Sequence, residues 1–313
     1  MKLSFVKPVV TGIIAVAVFL ALMLALDVLL PARAFAGTSI DQTVAVPANA
    51  DVHVSNVSGS VEATAWNRKE VHIGGTLGTG SLRLAVEKTA TGVDIRVVLP
   101  ENSHHVEGSR LVIRLPAASR LEAHTVSADV SASGLTGALD VETVSGNVTL
   151  RSRSGDISVK TVSGDIALAG SAAGARIGVQ TVSGELTLSG INGELQAGSV
   201  SGDVSLRGTN TLTRAQLSTT SGDLHFAAAL AGDGNYQFHS VSGDVTLDFP
   251  AIPDASFNVS SFSGDIEPAF GPPPQRTSEY GPGEDWNYRS GQGNAQVNVD
   301  TLSGDVRLRV SHS

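Results

Sequence analysis

The chain has 313 residues, 34 of them glycine, with no cysteine and a formal net charge of −9. Without cysteine there is no disulfide, thiolate metal centre, cysteine nucleophile or lipidated N-terminal cysteine. The negative charge disfavours nucleic acid and anionic membrane surfaces as partners, and 4% aromatic with 16% charged residues suits stacked short strands better than a packed α/β enzyme.

Lys2 and Lys7 give the chain a basic start, and residues 9 to 26 are almost wholly apolar. Ala34-Phe35-Ala36 then supplies a small-x-small cleavage pattern, so residues 1 to 36 read as a secretory signal peptide cut near Ala36. An uncleaved anchor is the alternative, because 18 apolar residues can just span a bilayer. Either way the rest of the chain is expected to be exported to the periplasm, cell surface or medium, touching a membrane only through this segment.

Residues 37 to 120 read as a strand-rich cap. Apolar alternation starts at Val71, Leu82, Val93 and Leu111, and a degenerate copy of the later repeat starts at Val52. Such a cap is expected where an open sheet end would leave backbone unpaired.

Residues 121 to 313 carry nine copies of h-x-h-x-[T/S]-h-S-G-[D/E/N]-h-x-h, where h is apolar, beginning at Leu121, Leu139, Ile157, Ile177, Leu195, Ala215, Tyr236, Phe257 and Val297. Most lie 18 to 21 residues apart; the last step is 40. One unit cannot bury its apolar row alone, but stacked units can. The prediction is an all-β, single-domain β-solenoid, each coil pairing in register with the coil above and below at ~4.8 Å. The apolar offsets predict an inward Val in TVSGDI, with the chain bending just before it to change parity.

The Ser-Gly pairs Ser145-Gly146, Ser163-Gly164, Ser183-Gly184, Ser201-Gly202, Ser221-Gly222, Ser242-Gly243, Ser263-Gly264 and Ser303-Gly304 are structural repeat positions, with Ala128 as the one exception to the Gly column. Gly there implies positive φ or backbone packed too closely for a Cβ. An acid follows in most copies, and neighbouring carboxylates along such a line repel unless something offsets them. Turn amides are one remedy. A Ca²⁺ ladder through Asp165, Glu185, Asp203, Asp223, Asp244 and Asp265 is the other, although the paired glycines and nine-residue rhythm of the Ca²⁺-binding β-roll are absent. No other cofactor is expected.

Thr143 with Ser145, Thr161 with Ser163 and Thr181 with Ser183 share strand parity, so an outward hydroxyl grid of the ice-binding kind is a further reading; ladders satisfying one another are the plainer one. His104-His105 is a polar loop pair. Residues 268 to 293 form a Pro/Gly-rich insertion holding Tyr280, Trp286 and Tyr288, a candidate recognition loop. Its exposure would favour recognition, its burial a structural cap.

The [T/S]-V-S-G-[D/E]-V ladder behind a signal peptide, with LVIRLPAASRLEAHTVSADV leading into it, resembles the bacterial putative-adhesin family, a β-strand-repeat domain of unknown function. The resemblance covers about residues 40 to 313 and implies an exported, non-enzymatic solenoid that contacts an envelope or surface component, protein or glycan. The alternative is a periplasmic structural or envelope-stress accessory protein without an external ligand. A β-helix carbohydrate enzyme needs convergent acids with His, Arg or Lys, whereas here acids stand one per coil, and the chain has no nucleophile elbow, zinc-protease or phosphate-loop motif.

Overall fold

The computed structural model describes residues 37–100, 106–208, 211–278 and 281–311. Residues 1 to 36, expected to be a signal segment, and His104-His105 and Tyr280 lie outside the described residues. Among those described every regular element is a strand, and no helix is long and apolar enough to cross a membrane. The chain divides into two compact units, the first reaching Ile166 and the second running from Ala167 to Ser313.

The first unit contains β1 (Thr38–Ala45), β2 (Asp51–Trp66), β3 (Glu70–Leu77), β4 (Arg83–Lys88), β5 (Gly92–Val98), β6 (Ser109–Pro116), β7 (Arg120–Ser133), β8 (Leu139–Glu142), β9 (Val148–Arg151) and β10 (Asp156–Lys160). Long β2 pairs in parallel with β5 and β6 along one edge and with β7 along the other. Antiparallel β3 joins β1 to β6, and β4 closes on β5 as a hairpin. Antiparallel strands thus cover one end of this unit, and parallel coils grow from the other: β7 pairs with both β8 and β9, and β8 with β10.

The second unit carries β11 (Ile166–Ala169), β12 (Arg176–Gln180), β13 (Leu186–Ser189), β14 (Asn192–Gly198), β15 (Val204–Arg207), β16 (Thr211–Ser218), β17 (Leu224–Ala227), β18 (Asn235–Ser240) and β19 (Val245–Phe249). Then follow β20 (Ala255–Ser261), β21 (Ile266–Pro268), β22 (Gln275–Arg276), β23 (Glu284–Arg289), β24 (Ala295–Thr301) and β25 (Val306–Val310). Even-numbered β12, β14, β16 and β18 form one parallel ladder, and β13, β15, β17 and β19 the next. Leu186, Val204, Leu224 and Val245 stack in register, as do Leu188, Leu206, Phe226 and Leu247, all buried.

The repeat phrase is a corner. Thr143, Thr161, Thr181, Ser199, Thr219, Ser240, Ser261 and Thr301 are all buried. Each hydroxyl oxygen accepts the N–H of the Gly three residues on, at 2.7–3.1 Å. The next residue points outward. Val144, Val162, Val182, Val200 and Val241 are only half-buried, which corrects the expectation that this Val fills the core. Parity changes one step later than the apolar spacing implied, between the buried Thr and the buried Gly. The buried Thr also corrects the outward hydroxyl grid: only the Ser column faces solvent.

Close packing, not positive φ, requires the Gly column. A Cβ on Gly146, Gly164, Gly202, Gly222, Gly243, Gly264 or Gly304 would lie 1.8–2.2 Å from the carbonyl oxygen of the residue below it in the stack. None of these has positive φ, and neither does Ala128. Ala128 pairs with Gly59, whose φ of 107° shapes β2 differently from a second flat corner.

Within the second unit stacking follows chain order until β19. There β24 lies between β18 and β20, and β25 between β19 and β21. The coil at 295–310 is therefore inserted beneath the coil at 255–268. Antiparallel β23 then covers the outer edge of β20, and β22 pairs with β23. Trp286 on β23 is 1% exposed. It packs on Phe257, Phe270 and Tyr288, and its indole N–H donates to Pro272 O at 2.8 Å.

These contacts set two stability expectations. Gly202→Ala, whose Cβ meets Gly184 O at 1.9 Å, should lower the unfolding free energy by about 1–3 kcal/mol, the usual effect of overpacking. Gly178→Ala on β12, which meets nothing within 4 Å, should be neutral or stabilising by less than about 1 kcal/mol. Trp286→Ala should cost about 3–5 kcal/mol. Chemical denaturation of the three variants checks all three, and equal losses at Gly202 and Gly178 would contradict the packing account.

Candidate functional site

Three columns of side chains emerge from the corner. Ser145, Ser163, Ser201, Ser221, Ser242, Ser263 and Ser303 each donate to a carbonyl of the coil beneath, at 3.0–3.4 Å. Beside them runs the acid column. Asp129 accepts the N–H of Asn147, the Asn147 side chain that of Asp165, Asp203 that of Asp223 and Asp223 that of Asp244, at 2.8–3.0 Å. Asp244 then accepts from Asp305 and Asp305 from Asp265, following the spatial order of coils rather than the chain order. One carboxylate oxygen of Asp129, Asp203, Asp223, Asp244 and Asp305 is engaged by an amide one coil away, which offsets the repulsion along the line. Among the described residues, no three of the His, Asp and Glu side chains are grouped to hold a metal ion.

The third column is the outward residue of TVSGD, which sequence reasoning had assigned to the core. In the second unit it runs Val182, Val200, Thr220, Val241, Leu302 and Phe262 in stacking order. Phe262 is 62% exposed and Leu302 42%. Two large apolar side chains thus sit on adjacent coils at a ridge lined by Ser and Asp, where solvated polar residues would cost less. Thr220 was the available signal: a polar residue in an otherwise apolar column marks a position that meets water.

Of the candidate recognition loop, Trp286 is a core residue and Tyr288 is half-buried against Phe270 and Trp286. The reason is the exposed edge of β20, which β23 covers while laying its aromatics across the coil end.

On the outer face of the first unit, register stacks His53, Glu122 and Asp140 in one column and His124, Glu142 and Lys160 in the next. His124 Nε2 is 2.9 Å from Glu122 Oε1, and its Nδ1 is 3.5 Å from Glu142 Oε2; Lys160 Nζ reaches Glu142 at 3.0 Å. The bond to Glu142 raises the His124 imidazolium to about 9, against the opposing effect of burial and with Glu122 adding to the rise. The same bond holds the Glu142 carboxyl down at about 2, opposed by burial and helped by Lys160. In the second unit, Arg307 bridges Asp244 at 2.6 Å, Asp305 at 2.8 Å and Glu267 at 3.4 Å. Burial works to raise Asp244, but the Arg307 bond and the Asp305 amide bring it down overall.

The Toastrack DUF4097 pattern matches residues 35–207 and again 107–309. The chain belongs to that family. A search of curated proteins finds no match to this Toastrack chain. Among solved structures it is similar to a putative cell adhesion protein from Clostridium sporogenes, at 8% identity over 88% of this chain and 100% of that one, with a TM-score of 0.24. It is also similar to a putative adhesin from Parabacteroides merdae, at 10% identity over 87% of this chain and 96% of that one, with a TM-score of 0.36.

The charge cluster gives the Toastrack chain a definite pH response. His124 is raised, so its stabilisation is complete below the free-histidine value of 6.5 and is lost as pH rises through about 9. Glu142 is depressed, so its share is complete above 4.5 and is lost as pH falls through about 2. Midpoints of denaturation measured against pH should fall on both limbs, and His124→Gln should flatten the alkaline limb and, because the same bond holds Glu142 down, weaken the acid limb as well. An unchanged alkaline limb in that variant would contradict the assignment.

Proposed function

We propose that the chain is an exported, non-enzymatic β-repeat protein that acts through surface contact at the cell envelope, with the corner ridge of the second unit as its contact face. The exposed Phe262–Leu302 pair carries this reading. Large apolar groups at the end of a polar, regular ridge suit a protein or glycan surface that covers them on contact. The hydroxyl and carboxylate columns beside them supply directional acceptors that fix the orientation of a partner. Where acids do meet among the described residues, His124 with Lys160 and Arg307 occupy them as ion-pair partners, which supports a binding role rather than hydrolysis, since glycoside chemistry needs two carboxyl groups facing one bond.

A second reading has its own support. Trp286, the largest side chain of the proposed recognition loop, is consumed in covering the coil end. That favours a periplasmic structural protein whose regular faces serve stability and which has no external ligand.

Two measurements separate these. Protease shaving of intact cells, followed by antibody detection, should remove the chain before lysis if it is a surface adhesin; survival until the envelope is opened selects the periplasmic reading. Replacing Phe262 and Leu302 together by Ser should lower binding of the purified chain to isolated envelopes at least about tenfold, the usual scale for losing a central apolar anchor. The midpoint of unfolding should barely move, because exposed substitutions stay within about 0.5 kcal/mol. Undiminished envelope binding by that variant would remove the ridge from the proposal.

A further inference from the structure

The inserted coil points to an exchange between molecules. Residues 295–301 pair in parallel with β18 on one side and β20 on the other, and 306–310 with β19 and β21. Withdrawing this segment would leave a slot with two parallel edges facing one another. Groups on both sides of that slot have partners on the segment: Asp305 O accepts from Val245 N, Val306 N donates to Asp265 O, and Asn258 Nδ2 donates to Asn298 Oδ1. The chain has no cysteine to tie the segment down.

We infer that the coil at 295–310 can be given and received between two copies of this chain, each filling the other's slot with the same register. The occupant is a second copy because the register demands it. The slot needs Val297 and Val299 between buried Tyr236, Phe238 and Phe257, then a corner that places Asp305 between Asp244 and Asp265, and residues 295–310 supply all of these. All contacts within the slot are remade in the exchanged form, so only the connection to it changes.

That connection is the turn over residues 290–294. It crosses from β23 outside β20 to β24 inside it, and Gly291 and Gly293 adopt positive φ of 62° and 72°. Asp254 holds it closed: one carboxylate oxygen accepts Gly293 N at 2.6 Å and Asn294 N at 3.3 Å, and the other accepts Asn294 Nδ2 at 3.1 Å. These bonds hold the turn in the folded-back conformation that the exchanged connection has to leave. The Arg307 bridges to Asp244, Asp305 and Glu267 differ, because they travel with the segment and re-form in the partner. Asp254 therefore sets the position of the exchange equilibrium, whereas Arg307 sets only its rate.

The test uses the natural absence of cysteine. Asn258 and Asn298 are register partners on adjacent strands, where a spacing of ~4.8 Å permits a disulfide. Chains carrying Asn258→Cys and chains carrying Asn298→Cys are mixed at high concentration, warmed below the unfolding midpoint, cooled and oxidised with diamide. The expected product is a disulfide heterodimer well above the homodimers each gives alone. Asp254→Ala should raise the dimer fraction by roughly tenfold, the factor associated with losing a charge-assisted hydrogen bond. Arg307→Ala should speed the approach to an unchanged fraction. The double variant Asn258→Cys/Asn298→Cys should instead close within one chain and abolish exchange. Heterodimer at or below the homodimer level, while the double variant closes, overturns the inference; so does failure of the double variant to close, which would remove the slot itself. Sedimentation of the cysteine-free chain with and without Asp254→Ala gives the same answer free of any added thiol, and identical monomer in both overturns it.

Discussion

Glycine backbone resting on the backbone of the coil beneath is the contact on which the rest of the structure depends. At the corner the chain comes so close to the preceding coil that a single methyl group would overlap a carbonyl oxygen. Once the Gly is fixed there, its N–H points at the buried Thr or Ser three residues back, and the Ser hydroxyl falls over the carbonyl of the coil below. The following acid then lands within reach of the amide on its neighbour. Four of the five residues in TVSGD are thus set by one distance of closest approach. The fifth, Val, is the one the corner leaves free to face outward.

The inserted coil shows the same contact working without regard to chain order. Gly304 lies on Gly243, and Gly264 on Gly304, so the coil at 295–310 sits in the column as if it had come next in sequence. Arg307 ties together acids from three neighbouring coils, and Asp254 pins the turn that leads in. The aromatic residues concentrate around this end of the second unit. Phe226, Phe238, Phe249, Phe257, Phe270 and Trp286 meet edge-on or tilted where the regular Val and Leu ladders give way to the cap.

The solenoid was legible in the sequence because its constraint repeats: a Gly packed too closely for a Cβ leaves a mark at every copy after the first, where Ala128 stands instead. Which side of the corner faces water was less legible. Val at the outward position and Val at the inward positions look alike as letters, and the parity change hides in the two residues between the buried Thr and the buried Gly. Only Thr220, and the enlargement to Phe262 and Leu302, distinguish that column. The order of coils was not legible at all. The pattern h-x-h-x-T-h-S-G-D-h-x-h is common to the copies and by itself carries no record of stacking order, and the 40-residue step between Phe257 and Val297 announces a detour without its destination. The role of Trp286 was legible only as one of two alternatives: Pro and Gly around it suggested a recognition loop, the open coil end a cap, and the edge of β20 recruits that stretch as a strand.

The inserted coil also bears on how the molecule is made. A polypeptide emerges from a ribosome or a translocation pore from its N-terminal side, and a solenoid stacked in chain order can add each coil to a finished surface as it appears. Here the coil at 255–268 emerges before the one it must rest upon. It has to wait, with Phe257 and its neighbouring aromatics uncovered, until residues 295–310 are out. The final stage of assembly is therefore simultaneous rather than sequential: coil, cap strand and inserted coil settle together, and the most apolar part of the second unit is the last to leave water.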